Sequence, residues 1–202
     1  MDYLDIDWQQ ERPTQATLNA DWSKIVITDL GSADSRLSSI TGALRETHVN
    51  GGAVVGRFSI ESPPSWRWFV SRNRLEETRF FARFFRHPAV AEGLSGVGTP
   101  TAGTEGTLGF KMEANFASMG RLADTISLGG AYSSYKGRDG EVLRLASDFA
   151  QAAFQDRYSD ICSYLSYEAW SLWFKGIAWD VSFFWFDARN GIATVLLVTD
   201  TD

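Results

Sequence analysis

The sequence is poor in the residues from which disulfides and metal centres are built. It contains one cysteine, Cys162, and two histidines, His48 and His87. A lone thiol cannot close an internal disulfide, and three such side chains are too few for a tetrahedral zinc site of Cys and His ligands. These shortages predict a chain without a metal or other cofactor, located in a reducing compartment such as the cytoplasm.

Long apolar runs are missing as well. No stretch of 18 apolar residues occurs, so the sequence predicts no membrane-spanning helix. The first residues, MDYLDIDWQQERP, are acidic and do not combine a basic segment with an apolar core, as a secretory signal does. We therefore predict a cytoplasmic protein that does not engage a membrane.

The common catalytic motifs are absent. In GLSGVG the residue two positions after Ser95 is Val97, which breaks the Gly-x-Ser-x-Gly spacing of a nucleophile elbow. The segment GGAYSSYKG lacks the spacing of a phosphate-binding P-loop, and no His-Glu-x-x-His motif occurs. Cys162 could act as a nucleophile only with His48 or His87, and a small buried hydrophobic residue is the favoured interpretation of this cysteine.

The charge balance is acidic and uneven. The formal net charge is −6, which argues against a nucleic-acid-binding protein, because such a protein must neutralise phosphates. Residues 57–86 contain seven arginines and three glutamates, whereas residues 139–202 contain four basic and ten acidic side chains. The basic middle and the acidic end could face each other or present two different surfaces to the outside, and both interpretations stay open.

Aromatic residues are plentiful. They make up 14% of the chain and include eight tryptophans. Large rings either fill a core or anchor a binding partner, because each contributes much contact area. Eight tryptophans are difficult to place in one small core, so we expect one or two to be partly exposed. Trp173 and Trp179, together with Tyr132, are the candidate contact rings.

Apolar periodicity predicts a single domain that contains both helices and strands. A chain of 202 residues suits one core. Segments rich in β-branched residues at 24–29 and 53–61 indicate strands, and a glycine-rich stretch near 93–109 indicates a loop. The predicted helices lie near residues 34–46, 66–86, 115–128 and 140–155.

The second of these helices carries a polar stripe. On a continuous helix, Arg72, Glu76, Arg79, Arg83 and Arg86 would share one face. Such a row of arginines can bind phosphate or carboxylate groups. A solvated helix face with glutamate partners explains the same pattern, so both interpretations stay open.

The last residues, AWDVSFFWFDARNGIATVLLVTDTD, predict a β-hairpin with strands at 179–186 and 192–199 around an Asn-Gly turn. Phe183 and Trp185 point to one face of the first strand, and Phe184 and Phe186 to the other, because strand side chains alternate. Both faces then need cover. We predict an α+β fold, with a mixed or antiparallel sheet that has this hairpin as its central strands and is packed by about four helices.

Carboxylates mark the ends of the predicted hairpin strands. In an antiparallel pairing Asp180 and Asp200 approach each other at the open end, and Asp202 follows. Two such carboxylates could serve as general acid and base or hold a divalent cation. Aspartates at strand ends are also ordinary solubilising residues, so the alternative of a purely structural role stays open.

Two function classes fit these features. The favoured hypothesis is a cytoplasmic, acidic protein-binding module that inhibits or neutralises a basic partner, as an immunity protein does, through complementary charge and aromatic anchors. Its predicted binding residues are Trp173, Trp179, Tyr132, Asp180, Asp200 and Asp202. The alternative is a hydrolase that uses Asp180 and Asp200, with or without a divalent cation. A carbohydrate-binding module would need a row of coplanar exposed rings.

Overall fold

The computed structural model describes residues 7–104, 106, 108–155 and 157–202, and in these ranges it contains seven α-helices and one six-stranded sheet. The helices are α1 (Gln15–Asp21), α2 (Ser35–Thr47), α3 (Pro64–Ser71), α4 (Phe80–Phe84), α5 (Pro88–Gly93), α6 (Asn115–Leu128) and α7 (Asp139–Phe154). The strands are β1 (Val26–Asp29), β2 (Gly52–Glu61), β3 (Lys111–Glu113), β4 (Ile161–Ser166), β5 (Val181–Asp187) and β6 (Ile192–Thr199). None of the described helices has the length and apolar character needed to cross a membrane.

The sheet is antiparallel throughout, in the order β1-β2-β6-β5-β4-β3. The C-terminal hairpin supplies the two central strands, as predicted. Val181 lies opposite Val198 at its open end, and Asp187 lies opposite Ile192 beside the turn. Gly191, in the turn, has a φ of 65°, which suits glycine. The position of β5 and β6 means that each of their faces meets another layer.

The four consecutive aromatics of β5 divide between two cores. Every residue of β5 is buried. Phe184 and Phe186 belong to a cluster formed with α1, α3, α4 and α5, whereas Phe183 and Trp185 belong to a second cluster formed with α2, α6 and α7. Helices therefore cover both faces of the sheet, and the predicted α+β fold is confirmed.

The first core is built around the ring of Phe184. Phe81 and Phe84 of α4 meet it edge to face, with centroid distances of 5.2 and 5.3 Å. Tyr164 of β4 and Phe110 extend the same cluster at 6.3 Å each. Edge-to-face pairs at these distances add to the gain from burying apolar area, so this ring couples α4 to the centre of the sheet.

The second core rests on the three longest helices. Their bounds match the predicted ones closely, because each has a clear apolar period. The Nε1 of Trp185 donates a hydrogen bond of 2.7 Å to Ser118 Oγ of α6, and Phe149 of α7 packs on the same indole at 5.0 Å. Helix α6 ends where Gly129 adopts a φ of 70°, a conformation that glycine takes without strain.

The predicted continuous helix over residues 66–86 is wrong. Helix α3 stops at Ser71, Asn73 has a φ of 53°, and a short 3-10 turn precedes α4. The polar stripe therefore does not lie along one helix. Arg72 instead sits over the ring of Trp68 at 4.4 Å, and Arg83 over Trp22 at 5.4 Å. Arg72 and Arg83 of this basic segment are therefore engaged in cation–π contacts within the chain.

The glycine-rich stretch near 93–109 is irregular, as predicted, and connects α5 to β3. Glu105 and Thr107 in this stretch lie outside the described residues. Val97 and Leu108 are buried in the first core. The connection is therefore held to the domain by its own apolar side chains rather than by regular secondary structure.

We expect Phe184→Ala to lower the free energy of unfolding by about 3–5 kcal/mol, because it removes a fully buried ring and leaves a cavity. Chemical denaturation followed by tryptophan fluorescence measures the change. Phe116→Ala is the matched control, since Phe116 is 76% exposed and should cost less than about 1 kcal/mol. Equal losses for the two variants would contradict the assignment of Phe184 to the core.

Candidate functional site

A cleft of about 500 Å³ opens at the end of the sheet where the hairpin strands separate. Its walls come from the C-cap of α2, the second half of α6, the residue after β4 and the start of β5. The residues that line it include His48, Arg121, Asp124, Leu128, Tyr167 and Trp179. We call this concavity the open-end cleft.

Large apolar side chains at this cleft remain in contact with solvent. Leu128, the last residue of α6, is 75% exposed, and Tyr167, directly after β4, is 61% exposed. Trp179 is half-buried beside them. Exposed apolar groups that gather around a concavity are typical of binding sites.

A second concavity adjoins the first along strand β3. This edge groove, of about 360 Å³, is lined by Lys111, Met112, Glu113 and Glu168, and it shares Tyr167 with the open-end cleft. Met112 is 53% exposed. Strand β3 is the last strand of the sheet on this side. The two concavities therefore meet at Tyr167, at a corner of the sheet.

Trp173 lies in a different place from Trp179. It borders a groove of about 320 Å³ with Arg45 and Val49, and this groove meets the open-end cleft only through His48. The ring of Trp173 also packs against Phe174, with a centroid distance of 5.1 Å. Tyr132 is 66% exposed and lines neither concavity. The predicted contact rings therefore do not form a single row.

Asp180 is a buried anchor for the segment that precedes β5. It is 1% exposed, and its carboxylate accepts hydrogen bonds from the backbone amides of Lys175 at 3.0 Å and Gly176 at 2.5 Å. The Thr199 hydroxyl donates to it at 2.5 Å. Asp180 therefore holds residues 175–177 against the end of β6.

Asp200 anchors two further loops. It is fully buried and accepts hydrogen bonds of 2.8 Å from the amide of Asn50, in the α2–β2 turn, and from that of Ala131, after α6. A β-carbon on Gly130 would approach its Oδ2 to 2.1 Å, so the loop needs glycine there. Asp180 and Asp200 are thus held inside the fold, where their carboxylates accept hydrogen bonds from backbone amides. Only Asp202, among the predicted carboxylates, is exposed.

His48 is the buried polar residue of the cleft. The sequence did not predict its position there. His48 caps the end of α2 and is 2% exposed. Its Nδ1 lies 2.9 Å from the carbonyl oxygen of Leu44 and 3.0 Å from the hydroxyl of Thr47. Burial lowers the pKa of His48, although the Leu44 carbonyl and the Asp200 carboxylate act in the opposite direction. The imidazole is therefore neutral at neutral pH.

Within the part of the chain that the structure describes, no group of three or more His, Cys, Asp or Glu side chains is arranged to hold a metal ion. No protein-family model matches the sequence, and no curated protein is significantly similar to it. The function has to be inferred from the site itself.

We expect Asp180→Ala to destabilise the protein by about 3 kcal/mol, because it leaves the buried Thr199 hydroxyl and the part-buried amides of Lys175 and Gly176 without their acceptor. Thermal and chemical denaturation measure the loss. Asp202→Ala removes an exposed carboxylate of the same chain end and should change stability by less than about 0.5 kcal/mol. A wild-type stability in Asp180→Ala would show that this carboxylate is not an anchor.

Acidification should destabilise the fold through its histidines. Burial lowers the pKa of both His48 and His87 below the ordinary value of 6.5, so the unfolded chain binds protons more readily. The stability that these neutral rings contribute is present above pH 6.5 and is lost as the pH falls toward their folded pKa values. Denaturation curves across this range should show the loss, and His48→Gln and His87→Gln should each reduce its slope. A flat profile would contradict burial of the neutral rings.

Proposed function

We propose that this protein is an acidic protein-binding module that docks a basic partner over the open-end cleft and the edge groove. The observation that supports it is the group of large apolar side chains at these two concavities, where Leu128, Tyr167 and Met112 are each more than half exposed. Exposed apolar side chains beside pockets are where partners bury their anchoring residues.

The charges around this surface favour a basic partner. Its charged residues are Lys111, Glu113, Arg121, Asp124 and Glu168. Three of the five are acidic, and none forms an ion pair with another described residue. The net charge of −6 adds a long-range field that accelerates encounter with a positively charged protein.

Hydrogen bonds and helix packing hold the residues of this surface in place. Asp180 fixes the segment that leads to Trp179, and Asp200 ties down the loop that follows α6. Helix α6 itself packs on β4 and α7. Binding to such a preorganised surface costs little conformational entropy, which raises affinity.

Neutralisation of the partner is the role that we propose for this module. Covering a basic active surface, as an inhibitor or immunity protein does, needs complementary shape and charge but no chemistry of its own. Cys162 is buried and forms no disulfide, which suits the proposed cytoplasmic setting. No observation favours the alternative of an aspartate-dependent hydrolase, because Asp180 and Asp200 direct their oxygens to backbone amides.

The test is capture by the tagged protein from a lysate of its native host, followed by reconstitution with the purified partner. We expect a stoichiometric basic protein whose binding weakens as salt increases. Leu128→Asp and Tyr167→Asp should each weaken binding at least tenfold, because they place a charge where the partner buries apolar groups.

Leu143→Asp is the matched control for this experiment. Leu143 is a 64% exposed leucine of α7 that lines neither concavity, so the same substitution there should leave binding unchanged. Circular dichroism and denaturation of all three variants establish that they fold. Capture of no stoichiometric protein, or equal loss of binding in Leu143→Asp and Leu128→Asp, would rule out this docking surface.

A further inference from the structure

His48 is a buried imidazole that lines both the open-end cleft and the groove beside Trp173, and only one of its two ring nitrogens has a hydrogen-bond partner among the described residues. The Nδ1 of His48 lies 2.9 Å from the carbonyl oxygen of Leu44 and 3.0 Å from the hydroxyl of Thr47. Because a carbonyl can only accept, we assign the ring hydrogen to Nδ1. In a neutral imidazole the other nitrogen, Nε2, is then an acceptor. Nε2 has no hydrogen-bond partner among the described residues. A group that binds to it has to be a donor.

The remaining wall of the cleft is suited to a flat apolar group. Tyr167 and Trp179 present aromatic rings, and Leu128 and Val181 add aliphatic surface. Aromatic rings pair with other rings by offset stacking or edge-to-face contact. A volume of about 500 Å³ lies in the range of pockets that hold an organic ligand or an anchoring side chain.

The charges of the cleft decide between a charged and an uncharged ligand. Arg121 and Asp124 both line it, so their formal charges cancel, and His48 is neutral. A guanidinium or ammonium group would meet one carboxylate and one opposing guanidinium. An uncharged ring with a single O–H or N–H donor fits the lining better.

We propose that the open-end cleft binds an aromatic ring that carries an O–H or N–H donor, namely the phenol of a Tyr or the indole of a Trp presented by the partner. His48 Nε2 accepts the hydrogen of that donor, and Tyr167 and Trp179 pack on the ring. The identity of the source rests on the proposed protein-binding function. Tyr and Trp are the side chains that most often dominate the binding energy of an interface.

The test uses N-acetyl-tyrosinamide and N-acetyl-phenylalaninamide, which differ only in the hydroxyl group. Titration of each into isotopically labelled protein, followed by NMR, gives both affinities and the position of binding. We expect the tyrosine amide to bind about tenfold more tightly and to perturb residues of the cleft. The Nε2 resonance of His48 should move with the tyrosine amide and not with the phenylalanine amide.

Three variants separate the contributions. His48→Phe should abolish the preference for the tyrosine amide, and Trp179→Ala should weaken both amides equally. Phe116→Ala is the control, because it removes an exposed ring outside the cleft and should change neither affinity. The Nε2 resonance is recorded in the wild-type protein, so the result stands even if the buried His48→Phe variant does not fold.

The inference is overturned if the tyrosine amide does not bind, if the two amides bind equally, or if the Nε2 resonance does not move. Binding of free p-cresol without binding of the capped amide would overturn the partner as the source of the ring. If the amides behave as expected but Leu128→Asp captures the partner as well as wild type does, the proposed docking surface fails and the chemistry of the cleft stands. If Leu128→Asp fails to capture the partner but the amides do not behave as expected, the docking surface stands and only the proposed chemistry of the cleft fails.

Discussion

Burial of both faces of β5 is the constraint on which the rest of the structure depends. Phe184 and Phe186 need one layer of helices, and Phe183 and Trp185 need another. Neither face can be left to water without exposing several large rings, so the strand lies in the centre of the sheet. The pairing of β5 with β6 then fixes the positions of Asp180 and Asp200 at the open end.

These carboxylates link the sheet to the cleft. A buried aspartate is tolerated only where donors surround it, and here the donors are the amides of three separate loops. The same hydrogen bonds that satisfy the carboxylates hold the segments carrying Trp179, His48 and the end of α6. The hairpin thus shapes a site to which its own strands contribute little exposed surface.

The aromatic surplus is divided unequally between core and surface. Trp66, Trp170 and Trp185 are almost completely buried, and Trp173 and Trp179 are half-buried. The exposed apolar groups of the proposed docking surface are mainly Leu128, Tyr167 and Met112. Three of the five charged residues at this surface are acidic, and the net charge of −6 can guide a basic partner. In the proposed function, the concavities at this corner hold the partner and the net charge of the chain attracts it.

Local periodicity in the sequence determined the bounds of α2, α6 and α7, the hairpin and its central place, because each of these follows from spacing along a single segment. Only the tertiary structure decided the break after Ser71, where burial of Phe80, Phe81 and Phe84 against the sheet overrides helical spacing. It also decided the cleft, whose walls come from residues 48, 121–129, 167 and 178–181. Residues so distant along the chain become neighbours only when the two cores pack on opposite faces of β5. No local sequence pattern predicts which of these residues will meet.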